Sequence, residues 1–247
     1  MRRSLIPTAA ALAIAMVSIS ACGLLSGQTT SDPAAPSGQS VAPENGGAQP
    51  EPLLPSEATA AALPPGVLYK DDFSNPLSGW DVRNDPDAIT DYRNGAFVIY
   101  VGKVDTTLWS KANRNMMDLI IDVDARQVGG PDDNLFGLIC RYRDADNFYR
   151  FVIGGNGYAG ITKRSNGDVT VLSGPLLTRS DAVNRGQATN HIRAICQRDQ
   201  LTLYVNDQLV AQAADSDFPS GDIGLMASAS KHPGVEIHFS EFSVSSP

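Results

Sequence analysis

Few side chains in this sequence are spaced for chemistry. Asp122 and Asp124 alternate with apolar residues in the run 117–128, so both carboxylates leave the same face of a strand. Strand geometry sets them about 7 Å apart. That arrangement serves either a solvated, ion-paired strand face or a pair of acids working on one substrate. Arg141 and Arg150 flank the turn-forming group Asp144-Ala145-Asp146-Asn147. A tight hairpin there puts Arg143 opposite Phe148, Tyr142 opposite Tyr149, Arg141 opposite Arg150 and Cys140 opposite Phe151. Like charges directly opposite are destabilising, which makes Asp122 and Asp124 the natural counter-charges if their strand lies nearby. Such a lattice either stiffens a sheet or offers forks to sugar hydroxyls or a ligand carboxylate. Trp80 and Trp109 are the two tryptophans and the candidates for stacking on a sugar ring. Trp80, behind the turn Leu77-Ser78-Gly79, reads first as a plug near a sheet end, and Trp109, in mid-strand, as a core residue.

Other chemistries find weaker footholds. Beyond residue 65 the glutamates are Glu236 and Glu241, five apart on the last strand and facing different ways. Asp132-Asp133-Asn134 and Asp144, Asp146 and Asn147 carry oxygens that calcium prefers, but turns use the same residues for backbone reasons. Calcium is therefore the one cofactor worth testing, and none is required by the pattern. His191, His232 and His238 lack metal-ligand spacing, and no Ser/His/Asp set stands out.

The elements that must position these groups are strands. Around the hairpin, Leu138, Cys140, Tyr142, Tyr149, Phe151 and Ile153 share one face, assigned to the core. Gly137, Ile139, Arg141, Arg150 and Val152 share the other. A third strand follows the turn Gly154-Gly155-Asn156-Gly157. In the run 117–128, Leu119, Ile121, Val123 and Ala125 face inward. Further strands are expected at 67–73, 96–101, 106–110, 168–172, 191–197, 201–205, 209–213, 223–227 and 235–244, with turns at 91–95 and at Asn206-Asp207. About a dozen short strands and no convincing amphipathic helix favour an all-β fold, a two-sheet antiparallel jelly-roll sandwich.

The first quarter has a different character. Met1-Arg2-Arg3 is a positive start, followed by an apolar stretch too short to cross a bilayer comfortably, which takes about 20 residues. Residues 22–65 are rich in Pro, Ala, Gly, Ser and Gln, with the acids Asp32, Glu44, Glu51 and Glu57 and no Lys or Arg up to residue 65. Such a stretch cannot bury enough apolar surface to offset its ordering entropy, and reads as a disordered tether. It would span about 35 Å as a flexible coil and up to roughly 130 Å if extended. The whole chain is mildly acidic, with a formal net charge of −8. The acids are spread out, and no basic footprint for nucleic acid is present.

Two resemblances add to this reading. Ile19-Ser20-Ala21-Cys22 resembles the bacterial lipoprotein processing box. It implies a signal peptide at 1–21, acylation of Cys22 by fatty chains such as palmitate, and an extracytoplasmic protein anchored to the cell membrane. Lipidation consumes one of three cysteines and leaves Cys140 and Cys196 as an expected disulfide between neighbouring strands. Asp71-Asp72-Phe73-Ser74 with Gly79-Trp80, Gly95-Ala96-Phe97, the segment 136–142, Asn147-Phe148-Tyr149, Gly157-Tyr158, the segments 201–207 and 221–225, and the closing 235–239 resemble bacterial concanavalin A-like, laminin G-like sandwich domains. That superfamily includes glycan-binding modules, glycoside hydrolases and a group related to 3-keto-disaccharide hydrolases. Its retaining glycosidases commonly carry Glu-x-Asp-x-x-Glu on one strand, which is absent here. The terminal strand of relatives often carries Phe-Asp-Asn, where this chain has Phe239-Ser240-Glu241. The expectation is a sandwich over 66–247 acting as a non-catalytic binding domain of the cell envelope, with a glycan as ligand. The alternatives are a hydrolase of the 3-keto-disaccharide type and a structural or adhesive protein that binds another protein. Oligomeric state is left open.

Overall fold

Alternation of apolar and polar side chains, with turn residues between the runs, builds strands throughout the part of the chain that the computed structural model describes, residues 63–247. The leader, Cys22 and nearly all of the tether lie outside the described residues. In chain order the strands are β1 (Val67–Asp71), β2 (Arg83–Asp85), β3 (Ala88–Arg93), β4 (Ala96–Val101), β5 (Thr106–Lys111), β6 (Leu119–Gly129), β7 (Asn134–Asp144) and β8 (Asn147–Ile153). They continue with β9 (Tyr158–Ser165), β10 (Asp168–Val171), β11 (Thr178–Arg179), β12 (Thr189–Gln197), β13 (Gln200–Val205), β14 (Gln208–Ala214), β15 (Asp222–Ala229) and β16 (Val235–Ser245). No helix occurs among the described residues.

Two antiparallel sheets form. One runs β14-β13-β12-β6-β16-β4-β3-β2, with β1 added beside the far half of β16. The other runs β10-β9-β8-β7-β15-β5, with β11 beside β9. The jelly-roll sandwich expected from the sequence is the observed fold, with the core between the layers. Leu119, Ile121, Val123 and Ala125 of β6 are fully buried as their alternation requires, and they meet Phe136, Leu138, Cys140, Tyr149, Phe151 and Ile153 from the other sheet in one cluster. Each Val, Leu, Ile or Phe among them contributes about 1.5–3 kcal/mol on burial. At one end Trp80 is the expected plug. It is 5% exposed, packs on Phe73, Phe97 and Phe242 at 5.5, 5.4 and 4.9 Å between ring centroids, and donates its indole N–H to Asp71 at 2.9 Å.

The pairing of Cys140 with Cys196 holds, but its place differs from the expected one. Cys140 is on β7 and Cys196 on β12, so the bridge joins the two layers rather than neighbouring strands of one sheet. Both residues point inward from their own sheets, where only a partner across the core is in reach. The turn expected at 91–95 is shorter than that. Asp91 to Arg93 extend β3, and only Asn94 and Gly95 turn, both with the positive φ that a two-residue hairpin loop uses. β2, β3 and β11 are not among the strands expected from the sequence.

The hairpin β7–β8 departs most from expectation. Asp144 pairs with Asn147 as drawn, but the next pairs are Cys140 with Tyr149, Ile139 with Arg150 and Leu138 with Phe151. β7 therefore spends two more residues than β8 between these points, and Arg141 within that bulge has φ +53°. A left-handed conformation costs a non-glycine residue about 1–2 kcal/mol. Here it turns Arg141 inward, fully buried, where its guanidinium donates to the carbonyls of Met117 (3.2 Å) and Phe218 (3.1 Å) and to Asp118 Oδ1 (3.2 Å). Arg141 consequently does not face Arg150, and Tyr142 lies on the outer face instead of in the core.

Candidate functional site

Strand alternation leaves Ile139 (β7), Phe148, Arg150 and Val152 (β8), Thr162 (β9), Met226 (β15) and Trp109 (β5) on the outer face of the seven-stranded sheet. The registers Ile139–Arg150, Arg150–Thr162 and Met226–Trp109 align them in rows. Although on an outer face, Ile139, Phe148, Val152 and Met226 are sealed from solvent by half-buried Trp109, Leu135, Tyr142 and Leu177. The result is a small second apolar cluster with an aromatic rim. Trp109 lies 5.5 Å from Phe148 and 6.4 Å from Tyr142, and Tyr142 lies 5.2 Å from Phe148, ring centre to ring centre. Lys111 stands 5.4 Å above the Tyr142 ring and is also paired with Asp81 at 3.3 Å. Trp109 is thus not the core residue its mid-strand position suggested. Leu108 and Ser110 take the inward positions, and the residue between them must point out.

Next to this rim, on the same face, a groove of about 830 Å³ opens between the sheet and the segment that leads from β10 to β11. Thr107, Leu135 and Ser228 line its sheet side, and Tyr158, Leu176 and Leu177 its other wall. Gly160 lets that segment fold back closely: a Cβ there would come within 2.7 Å of the Leu177 Cδ2 methyl, which would have to shift. Tyr158 is 38% exposed, with the Arg179 guanidinium 5.3 Å over its ring. Asp105, Asp133 and Asn156 bring polar groups to the lining. The groove therefore joins apolar and aromatic walls to a few hydrogen-bonding groups, the composition of a small-ligand or saccharide site.

Arg150 belongs to this face. It is 8% exposed, and its Nε donates to Thr162 Oγ1 at 2.9 Å. No carboxylate among the described residues pairs with it. Burial, and after it the neighbouring Arg164, push its guanidinium down to about 10. Arg164 pairs through Nη2 with Asp146 at 3.2 Å, while its Nε is buried with no acceptor.

Asp122 and Asp124 lie elsewhere, on the outer face of the nine-stranded sheet, and so do not neutralise Arg141 or Arg150. Their partners come from β12, which sequence reasoning missed. His191 sets Nδ1 2.8 Å from Asp124 Oδ1 and Nε2 3.1 Å from Asp122 Oδ1, and Arg193 Nε donates to Asp122 Oδ1 at 2.7 Å. The separation follows from topology: β6 pairs with β12 and β16, never with the hairpin, and no pattern within β6 announces its neighbour. Asp122, His191 and Arg193, with Lys70 and Glu241 (3.3 Å apart), line a hollow of about 360 Å³. The remaining candidates serve local structure. Asp144 caps its own turn from Asp146 N (2.8 Å) and Asn147 Nδ2 (2.7 Å). Asn134 donates to Gln127 Oε1 (2.8 Å) and Pro131 O (2.6 Å). Glu236 meets His238 at 2.7 Å, and Asp133 meets His232 at 3.1 Å. Among the described residues no three His, Cys, Asp or Glu side chains gather as a metal set.

Comparison with known proteins places the fold and no more. No family model matches the chain, and no curated protein does. Among solved structures it is similar to a carbohydrate-binding module, CBM66, from Bacillus subtilis, with TM-score 0.54 and 19% identity over 68% of this chain and 96% of that one. A protein of unknown function with a galectin-like fold from Bacillus subtilis matches with TM-score 0.53 and 11% identity, over 73% of this chain and 96% of that one. The GH43 protein BlXynB from Bacillus licheniformis matches with TM-score 0.55 and 13% identity, over 72% of this chain but 39% of that one.

Proposed function

We propose that residues 66–247 form a non-catalytic carbohydrate-binding domain that takes a glycan on the outer face of the seven-stranded sheet. The observation that carries this reading is the groove itself. A roomy hollow runs beside an aromatic rim of Trp109 and Tyr142, seated on buried Phe148, and has Tyr158 in its wall. Aromatic rings and scattered hydroxyls suit the alternating C–H faces and hydroxyl edges of sugars. The similarity to a carbohydrate-binding module supports the same class. The aspartates that an acid–base mechanism would need on one face are already engaged by His191 and Arg193. We further propose that the domain is displayed outside the cell, held by an acylated Cys22 through the Pro- and Ala-rich tether.

The test is a glycan-binding screen on the chain starting at Gly23, followed by calorimetry on the hits with and without calcium. Trp109→Ala and Tyr158→Ala should each weaken binding by about 1 kcal/mol, roughly fivefold. A verified ligand bound with unchanged affinity by both variants would move the site off this face. A second reading has one specific observation behind it: the hollow at Asp122, His191 and Arg193 could serve a hydrolase. Sugar release from the bound glycan, abolished by His191→Ala, would establish that reading in place of the first.

A further inference from the structure

We infer that the glycan recognised on this face carries a carboxylate, and that Arg150 is the residue that reads it. The inference deepens the carbohydrate-binding reading and rests on it. Arg150 is the feature of the face that packing alone does not explain. The residue is more than nine-tenths buried, between Phe148 and Val152 along β8, with Ile139 and Thr162 to either side. Thr162 fixes the fork by taking the Nε hydrogen, and the two terminal amines then find no acceptor among the described residues. They are nevertheless not among the polar atoms cut off from solvent, so they open toward whatever occupies the face.

The surroundings make this a site for an anion rather than for a neutral hydroxyl. The charged neighbour that acts on it is another cation, Arg164, whose one acidic partner among the described residues is the exposed Asp146. The pair of guanidiniums therefore carries an uncompensated positive charge against an aromatic surface. A buried charge without a partner is expensive to keep, and a planar carboxylate is the group whose two oxygens match the open side of a guanidinium fork. The acids of this face, Asp105 and Asp133, line the groove at the Leu135 end of β7. Arg150 pairs four residues further on, opposite Ile139, about 13 Å along the strand. An acidic saccharide lying along β7 would thus put its carboxylate at the Arg150 end and its hydroxyls over the groove. The ligand class is a uronate-containing oligosaccharide.

The experiment is calorimetry on the full chain in a polyoxyethylene detergent, which has no sugar headgroup. The probes are oligogalacturonate, oligomannuronate and hyaluronan fragments, each beside its carboxyl methyl ester, with xylo-oligosaccharide as the neutral control. At least one acid should bind roughly 10- to 100-fold more tightly than its ester, the size of a charge-assisted pair. Arg150→Gln should erase that preference, bringing acid and ester to the same affinity, and Arg150→Lys should restore only part of it. An unfolding midpoint no lower in the variants than in the native chain would show that the loss is not misfolding. Acids and esters bound equally well, or an acid preference that survives Arg150→Gln, would overturn the inference while leaving glycan binding intact. Failure of every saccharide, neutral ones included, would remove both.

Discussion

Arg150→Met should make this protein more stable. The perturbation keeps an unbranched apolar stem of similar length and removes only the charged end. Burial, then repulsion from Arg164, push the guanidinium down to about 10. Against the ordinary arginine range that corresponds to about 3 kcal/mol of penalty on the charged form. The sign follows from linkage. A base whose folded value is depressed binds fewer protons in the folded state, so the penalty is complete below pH ~10 and fades only as pH rises above it. At neutral pH the whole of it is available for recovery. Against it stands the bond to Thr162 Oγ1, whose loss costs about 1 kcal/mol. The net expectation is a gain of about 1–2 kcal/mol, in keeping with apolar replacements of buried charges. For a domain of this size that raises the midpoint of thermal unfolding by about 2–8 °C. Urea unfolding at neutral pH, monitored by tryptophan fluorescence and circular dichroism, measures it directly, with the slope checked for constancy. A variant less stable than the native chain by more than about 1 kcal/mol would refute the reasoning. Arg150 would then be a satisfied structural pillar, and its use for a ligand would lose its physical basis.

Three further outcomes are expected. Replacing Cys140 and Cys196 together by Ser should destabilise the domain by roughly 4 kcal/mol on the chain-entropy model, since the bridge closes a separation of 56 residues; denaturant curves of the two proteins check it. Burial alone would raise the Asp215 carboxyl, but hydrogen bonds from Lys163 and Tyr149 outweigh it and hold the group below the usual carboxylate range. Its contribution is therefore present above pH ~4 and is lost as pH falls further, so Lys163→Met should flatten the acid limb of a stability–pH curve. Gly137→Ala should abolish or severely weaken folding, by more than about 3 kcal/mol, because the new Cβ would sit 2.0 Å from the Phe151 carbonyl oxygen at φ +152°. Soluble yield and near-ultraviolet circular dichroism would report it.

The sequence by itself determined which residues make strands and, for most of them, which face each side chain takes. Leu119, Ile121, Val123 and Ala125 point inward as their spacing requires, and Asn206-Asp207 turns where it should, both residues at positive φ. Alternation is a property of the extended backbone, legible without knowing any neighbour. The pairing of the later cysteines was legible once the processing-box resemblance set Cys22 apart from the other two. Tertiary structure decided what depends on partners distant in the chain. The bulge that turns Arg141 inward is satisfied by Met117 and Phe218, 24 and 77 residues away, and nothing local in the hairpin predicts it. The choice of β12 rather than the hairpin as neighbour to β6 handed Asp122 and Asp124 to His191 and Arg193. The groove exists because the segment after β10 folds back over the outer face, bringing Leu176 and Leu177 opposite Leu135. Register and layer order are set by long-range packing and hydrogen bonding, so the strands could be read one at a time, but not the surface that they assemble.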